Sequence, residues 1–195
     1  MIDYGKTVSE YDKHYTSELC KGENYDIKRW LYTLDLQNKG NILDVGCGTG
    51  FTLDLVPLIT PKRYCGVDAS AKMLEIARKK HPRHKFIHAK AKEMNFEGEA
   101  FDAALCLFSI PYIGEDAVGR IYDALKPGGL VLCVCYNKPY LNPSSVYGGH
   151  KWKYLFTVAP KVKKVLEEFE HYFSRKAECD LAEGKAYKII IFQKE

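Results

Sequence analysis

The sequence predicts a three-layer α/β sandwich: a seven-stranded, mostly parallel sheet with helices on both faces and an antiparallel hairpin strand at the C-terminus. Three observations carry this. From residue 42 onward, short apolar runs alternate with amphipathic segments, the rhythm of strand-helix-strand units. Leu130 to Tyr136 is almost all apolar, as a central strand covered on both faces requires. The last third closes with two strand-like segments, 171–179 and 186–193, joined around Ala182-Glu183-Gly184-Lys185. A length of 195 residues suits one domain with a sizeable core.

Residues 1–22 are polar and Tyr-rich without a steady period. Over 24–37, Ile27, Trp30, Leu31 and Leu34 recur at helical spacing, and Lys39-Gly40 stops the helix. Ile42 to Val45 is the first strand, and a short helix follows over about Thr49 to Val56. Tyr64 to Val67 is the second strand. Ser70 can cap the next helix, whose apolar stripe is Met73, Leu74, Ile76 and Ala77, and His81-Pro82 ends it. Phe86 to Ala89 and Phe101 to Leu107 are the third and fourth strands. Val118, Ile121, Tyr122 and Leu125 mark a further helix, stopped by Lys126-Pro127-Gly128-Gly129. Residues 137–157, rich in Pro, Gly and aromatics, read as a loop with function. Val162, Val165, Leu166 and Phe169 mark the last helix. The expected division is a helical cap over 1–40, a ligand-binding core over 41–136, the loop over 137–157, and a closing helix and hairpin over 158–195.

The totals exclude several classes. With 46% hydrophobic and 28% charged residues the composition is that of a globular protein. A net charge of +4 without a long Lys/Arg block argues against a dedicated nucleic-acid binder. Lys161, Lys163 and Lys164 read as the wet side of a helix. The seven cysteines show no CxxC pair and no zinc spacing, so no metal is expected. Cys106, Cys133 and Cys135 lie in apolar runs and read as small hydrophobes, with Cys133 and Cys135 on one strand face. No apolar run is long enough to span a bilayer, and a reducing, cytoplasmic compartment is expected. A monomer or homodimer fits the chain equally well.

The chemistry-bearing segment is Asn41-Ile42-Leu43-Asp44-Val45-Gly46-Cys47-Gly48-Thr49-Gly50. A strand runs into three alternate glycines before a helix. Gly46 permits the sharp turn. Gly48 and Gly50, lacking side chains, let a ligand lie against the backbone, and a side chain at 48 would fill the ligand's place with little effect on folding. A purely structural turn is the plainer alternative. The GxGxxG spacing of dinucleotide sites fails, because Phe51 stands at its third glycine. No lysine follows as in a P-loop. Asp68, at the end of the second strand, can accept both hydroxyl hydrogens of a ribose.

The run ILDVGCGTG followed by GVDAS resembles the first two motifs of the class I (Rossmann-like) S-adenosylmethionine-dependent methyltransferases, and ALKPGGLVLCVC is similar to the segment leading into their fifth strand. The likeness covers about residues 41–136. It implies S-adenosylmethionine as cofactor. Asp44, Gly46, Gly48 and Gly50, with Cys47 among them, would line its methionine and ribose portion, and Asp68 would hold the ribose hydroxyls. Ala69 and Met73 would lie near the adenine, and Leu107 and Phe108 near the methionyl end. The acid that the family often sets against the adenine amine is replaced here by Lys90, which only donates. Ala91 and Met94 would then pack the adenine instead.

Methyl transfer chiefly needs a positioned acceptor and exclusion of water, with a base only if the acceptor must lose a proton. Candidates must lie at the carboxyl ends of the strands. His150 is the first choice as base, with a solvated loop histidine as the plainer alternative. His14, within Tyr11 to Tyr15, is a weaker one. Tyr112, in Ser109-Ile110-Pro111-Tyr112, could orient an acceptor or simply pack in the core. Tyr136, Tyr140, Tyr147, Trp152 and Tyr154 could line an acceptor pocket or form a small satellite core. The expected activity is methylation of a small molecule. Methylation of protein or RNA, a binding module without catalysis, and a nicotinamide-dependent oxidoreductase are the alternatives.

Overall fold

The computed structural model describes residues 21–96, 101–136, 151–181 and 187–195. Helix α1 spans Lys21–Thr33 and α2 Leu36–Lys39, followed by β1, Ile42–Val45. Helix α3 (Phe51–Leu55), a 3-10 turn (Pro61–Arg63), β2 (Tyr64–Asp68), α4 (Ala71–Lys80) and β3 (Lys85–His88) come next. A second 3-10 turn (Ala91–Glu93) precedes β4 (Phe101–Leu107), α5 (Ile110–Ile113), α6 (Asp116–Ala124) and β5 (Leu125–Tyr136). Helix α7 (Lys151–Tyr172), β6 (Ser174–Leu181) and β7 (Tyr187–Gln193) close the chain.

The seven strands form one sheet in the order β3-β2-β1-β4-β5-β7-β6. The first five are parallel, and β7 runs antiparallel between β5 and β6. This is the expected three-layer architecture. Strand order reverses between β1 and β4, so a crevice opens at their carboxyl ends, where open α/β sheets take ligands.

Alternation along β1 divides the core. Leu43 and Val45 face one cluster, with Val118 and Ile121 of α6 and Val165 and Phe169 of α7. Ile42 faces the other, with Ile27 and Leu31 of α1, Leu53 of α3, and Leu74 and Ala77 of α4. Lys161, Lys163 and Lys164 are exposed, on the wet side of α7 as expected. Cys133 and Cys135 share the first cluster and are fully packed. Among the described residues no helix is long and apolar enough to cross a membrane.

Several boundaries differ from the sequence reading. The expected helix over 24–37 breaks after Thr33, where Asp35 takes φ +54°, a conformation Asp tolerates, and holds the Asn38 amide at 2.8 Å. Leu125 belongs to β5, paired with Phe101, although it ends the apolar face of the preceding helix. The Lys126-Pro127-Gly128-Gly129 stop therefore lies within a strand: Gly128 N–H donates to the Lys194 carbonyl, and Lys194 N–H returns to Gly129. Helix α7 begins at Lys151 and runs to Tyr172, so 151–157, expected as loop, and 171–172, expected as strand, are helical.

Candidate active site

The turn after β1 is tied to β2. Gly46 and Cys47 both donate their N–H to the Val67 carbonyl, at 2.8 and 3.1 Å. Gly46, Gly48 and Gly50 all have left-handed φ, +76°, +54° and +88°, which glycine adopts without strain. Asp68, at the tip of β2, joins the two strand ends. Its Oδ2 accepts from Gly48 N–H and its Oδ1 from Ser70 N–H, both at 2.8 Å. Each oxygen has a second lone pair free of those bonds. Burial raises the Asp68 pKa, opposed by the two backbone donors and by His88. Ser70 caps α4 as expected, accepting from Met73 N–H at 3.3 Å.

Beneath the turn, Asp44 is buried, 1% exposed. The Tyr64 hydroxyl donates to its Oδ2 at 2.7 Å. Burial pushes the Asp44 carboxyl up to about 6, although the bonds from Tyr64 and Thr52 pull the other way. The end of β4 reaches the same turn. Ser109 Oγ donates to the Val45 carbonyl at 2.5 Å, and a Cβ on Gly46 would fall 2.4 Å from Ser109 Cβ. Just before it, Phe108 takes φ +60°, uncommon for a bulky residue. Its ring meets Tyr187 edge-on at 5.1 Å and lies 6.4 Å from Phe51.

Gly48 and Asp68 are thus in direct contact, with Ala69 exposed beside them and Met73 buried below. Ala91 is half-buried, Met94 is buried, and the Lys90 ammonium pairs with Glu93 at 3.3 Å. Leu107 and Phe108 are buried at the end of β4.

Four expectations shift. Asp44 sits under the turn, a prop for it. The Cys47 thiol is buried against Gly66, where an added Cβ would lie 2.8 Å from its Sγ, and burial raises its pKa well above the usual value. Gly50 is bare because a Cβ there would fall 2.7 Å from His81 Cδ2. At Gly48 the left-handed φ means that any side chain strains the backbone as well as filling space.

Tyr112 is exposed on α5, so its packing alternative falls away. His150, His14 and Tyr140 and Tyr147 lie outside the described residues, as do the side chains of Tyr136, Trp152 and Tyr154. The sequence reading missed Tyr64, Ser109 and His81 as supports of the turn. It also missed His88, whose ring nitrogen meets the Ala69 carbonyl at 3.1 Å beside Asp68. His88, at the end of β3, and Ser109, just past the end of β4, carried a positional signal.

Residues 42–129 match the model of a methyltransferase domain. The likeness to a methyltransferase domain thus runs from β1 into β5 and takes in the glycine turn and Asp68. A demethylmenaquinone methyltransferase of Staphylococcus aureus is 29% identical over 151 residues, 73% of this chain and 63% of that protein. The chain therefore spans less than two thirds of the length of the curated relatives it matches. A methyltransferase of Thermotoga maritima, described as a possible histamine N-methyltransferase, superposes with a TM-score of 0.65 at 22% identity, covering 98% of both chains. The N-methyltransferase NodS of Bradyrhizobium japonicum, solved with S-adenosylhomocysteine, gives 0.65 at 15% identity over 96% of this chain and 98% of that one.

The residues at this edge fit S-adenosylmethionine, the cofactor that the glycine turn and Asp68 suggest in the sequence. Asp68 keeps one lone pair per oxygen for a vicinal diol, and the backbone from Gly46 to Gly50 turns beside it.

Proposed function

We propose that this protein transfers the methyl group of S-adenosylmethionine to a small-molecule acceptor at the carboxyl edge of the sheet. The observation that carries the reading is Asp68, which locks the β1 turn to the start of α4 and still has acceptor capacity for two hydroxyls. The cofactor supplies an electrophilic methyl on a sulfonium. The chain's part is to hold and orient. Asp68 would accept the ribose hydroxyls, Gly46, Gly48 and Gly50 would carry the methionine portion, Ala69, Met73 and Ala91 would border the adenine, and Leu107 would close the methionyl end. Asp44 and Cys47 would support the turn from below. Tyr112, exposed just beyond β4, would orient the acceptor, and His150 would take a proton where the acceptor has one to lose.

A small acceptor is favoured by the mild net charge and by a relative named for demethylmenaquinone. Among the described residues, five buried free thiols suit a reducing cytoplasm. The test is calorimetric titration of S-adenosylmethionine and S-adenosylhomocysteine into wild type and Asp68→Ala, with methyl-labelled cofactor incubated with small-molecule, protein and RNA fractions of a cell extract. Loss of two hydrogen bonds to a charged acceptor, about 1.5–3 kcal/mol each, weakens binding by about a hundredfold or more. Label in the small-molecule fraction supports the acceptor class. Unchanged affinity in Asp68→Ala sinks the site, and label confined to protein or RNA sinks the acceptor class.

A further inference from the structure

The bare backbone at Gly50 is occupied from within the protein. The His81 ring lies where a side chain at 50 would go, with Cδ2 2.7 Å and Nε2 3.2 Å from the position of an added Cβ. That ring is itself held. His81 Nε2 meets Asp54 Oδ1 at 3.0 Å, and Lys80 Nζ meets Asp54 Oδ2 at 2.5 Å. Asp54 belongs to α3, the five-residue helix that Gly50 opens, while Lys80 and His81 end α4. Both partners are largely shielded from solvent, with 17% and 27% of their side chains exposed.

The contacts continue inward. The His81 and His84 rings meet edge-to-face at 5.8 Å, and His84 meets Tyr64 at 5.7 Å. The Tyr64 hydroxyl then reaches Asp44, under the other end of the turn. Burial holds the His81 ring below the ordinary imidazole pKa against the pull of Asp54, and Lys80 and His84 lower it further, so the uncharged ring is the packed form.

Helix α4 therefore grips the glycine turn at two places. Its start holds Gly48 through Asp68 and Ser70. Its end holds Gly50 and α3 through His81 and Asp54. We infer that His81 is a positioning residue for the cofactor: its ring, wedged against Gly50 and tied to Asp54, sets where the Gly46–Gly50 backbone stands and so tunes cofactor affinity. This rests on the reading of the turn as the cofactor site. His81 acts through the turn and makes no claim on the reacting atoms. A side chain whose only work is to stabilise the fold would change the melting temperature and leave affinity alone.

The experiment uses the full chain and S-adenosylhomocysteine as probe, titrated calorimetrically well below each variant's melting temperature. His81→Ala removes wedge and tie together, and displacement of the turn by a fraction of an ångström is expected to weaken binding about tenfold. His81→Gln keeps an amide donor near the place of Nε2 and restores most of the affinity. Asp54→Ala releases the ring without emptying its place and is expected to weaken binding in the same direction. It decides the matter should His81→Ala fail to fold. The inference is overturned if a folded His81→Ala or Asp54→Ala binds the probe as tightly as wild type while only its melting temperature falls. If wild type itself does not bind, the cofactor reading fails and the inference fails with it. Binding by wild type with no effect of either variant removes the inference alone.

Discussion

Asp44, the third of the four residues of β1, is a carboxyl group without solvent, held by Tyr64 and Thr52. Burial disfavours its charged form by more than the two hydrogen bonds restore, so its pKa moves from 3.8 to about 6. An acid whose native pKa is raised stabilises the fold fully below its unfolded value. That contribution is lost as the pH rises from about 4 to about 6, and at neutral pH the native state holds an unfavourable charge. The difference corresponds to about 3 kcal/mol. Asp44→Asn, which can still accept from the Tyr64 hydroxyl, is expected to raise the melting temperature at pH 7.5 by several degrees and to lose that advantage by pH 4.5. Paired melting curves at the two pH values check this, and an Asn variant less stable at pH 7.5 contradicts it. Tyr64→Phe acts oppositely. It leaves a buried acceptor short of a donor and costs about 1–3 kcal/mol at neutral pH, read as a lower denaturation midpoint.

At the scale of elements, α7 carries one face of the sheet. Phe169 is fully buried and stacks on Phe192 of β7, with centroids 5.2 Å apart and planes 17° apart, and Phe173 continues the contact at 5.7 Å. Phe169→Ala is expected to cost about 3–5 kcal/mol, measured by denaturant unfolding, because a rigid sheet cannot collapse into the space. The apolar spacing Val162, Val165, Leu166, Phe169 is a local pattern, and so this helix was readable, as were the Ser70 cap and the stripe on α4. Its first turns were not. Residues 151–157 look like loop by composition, yet their backbone is helical, so the surrounding fold overrides local preference. Gly50 shows the same limit at the site. The bareness of that position was legible, but its reason is a ring thirty-one residues further along, and no local pattern announces such a contact. Asp68 was legible because strand end and carboxylate coincide in sequence.

At the scale of the whole molecule, strand order makes the site. Parallel pairing of β1 with both β2 and β4 brings Gly48, Asp68 and Ser109 to one edge from three separate stretches of chain. The strand-helix rhythm predicts a mostly parallel sheet, and right-handed crossovers leave few topologies for it, but the order itself is seen only in the structure. A ligand bound at that edge holds together ends that unfolding separates, so occupancy must stabilise the whole domain. At a probe concentration one hundred times Kd the gain is about 2.7 kcal/mol. For a chain of this size each kcal/mol raises the melting temperature by about 2–4 °C. S-adenosylhomocysteine is therefore expected to raise the melting temperature of wild type by about 5–11 °C. Phe169→Ala, which weakens the far face but leaves the edge intact, melts lower without ligand yet shows a comparable rise. Asp68→Ala shows little or none. The contrast separates folding from binding: a rise that survives loss of Asp68 places the probe elsewhere on the molecule, and a rise lost in Phe169→Ala means that the packed face and the ligand edge do not behave as separable parts.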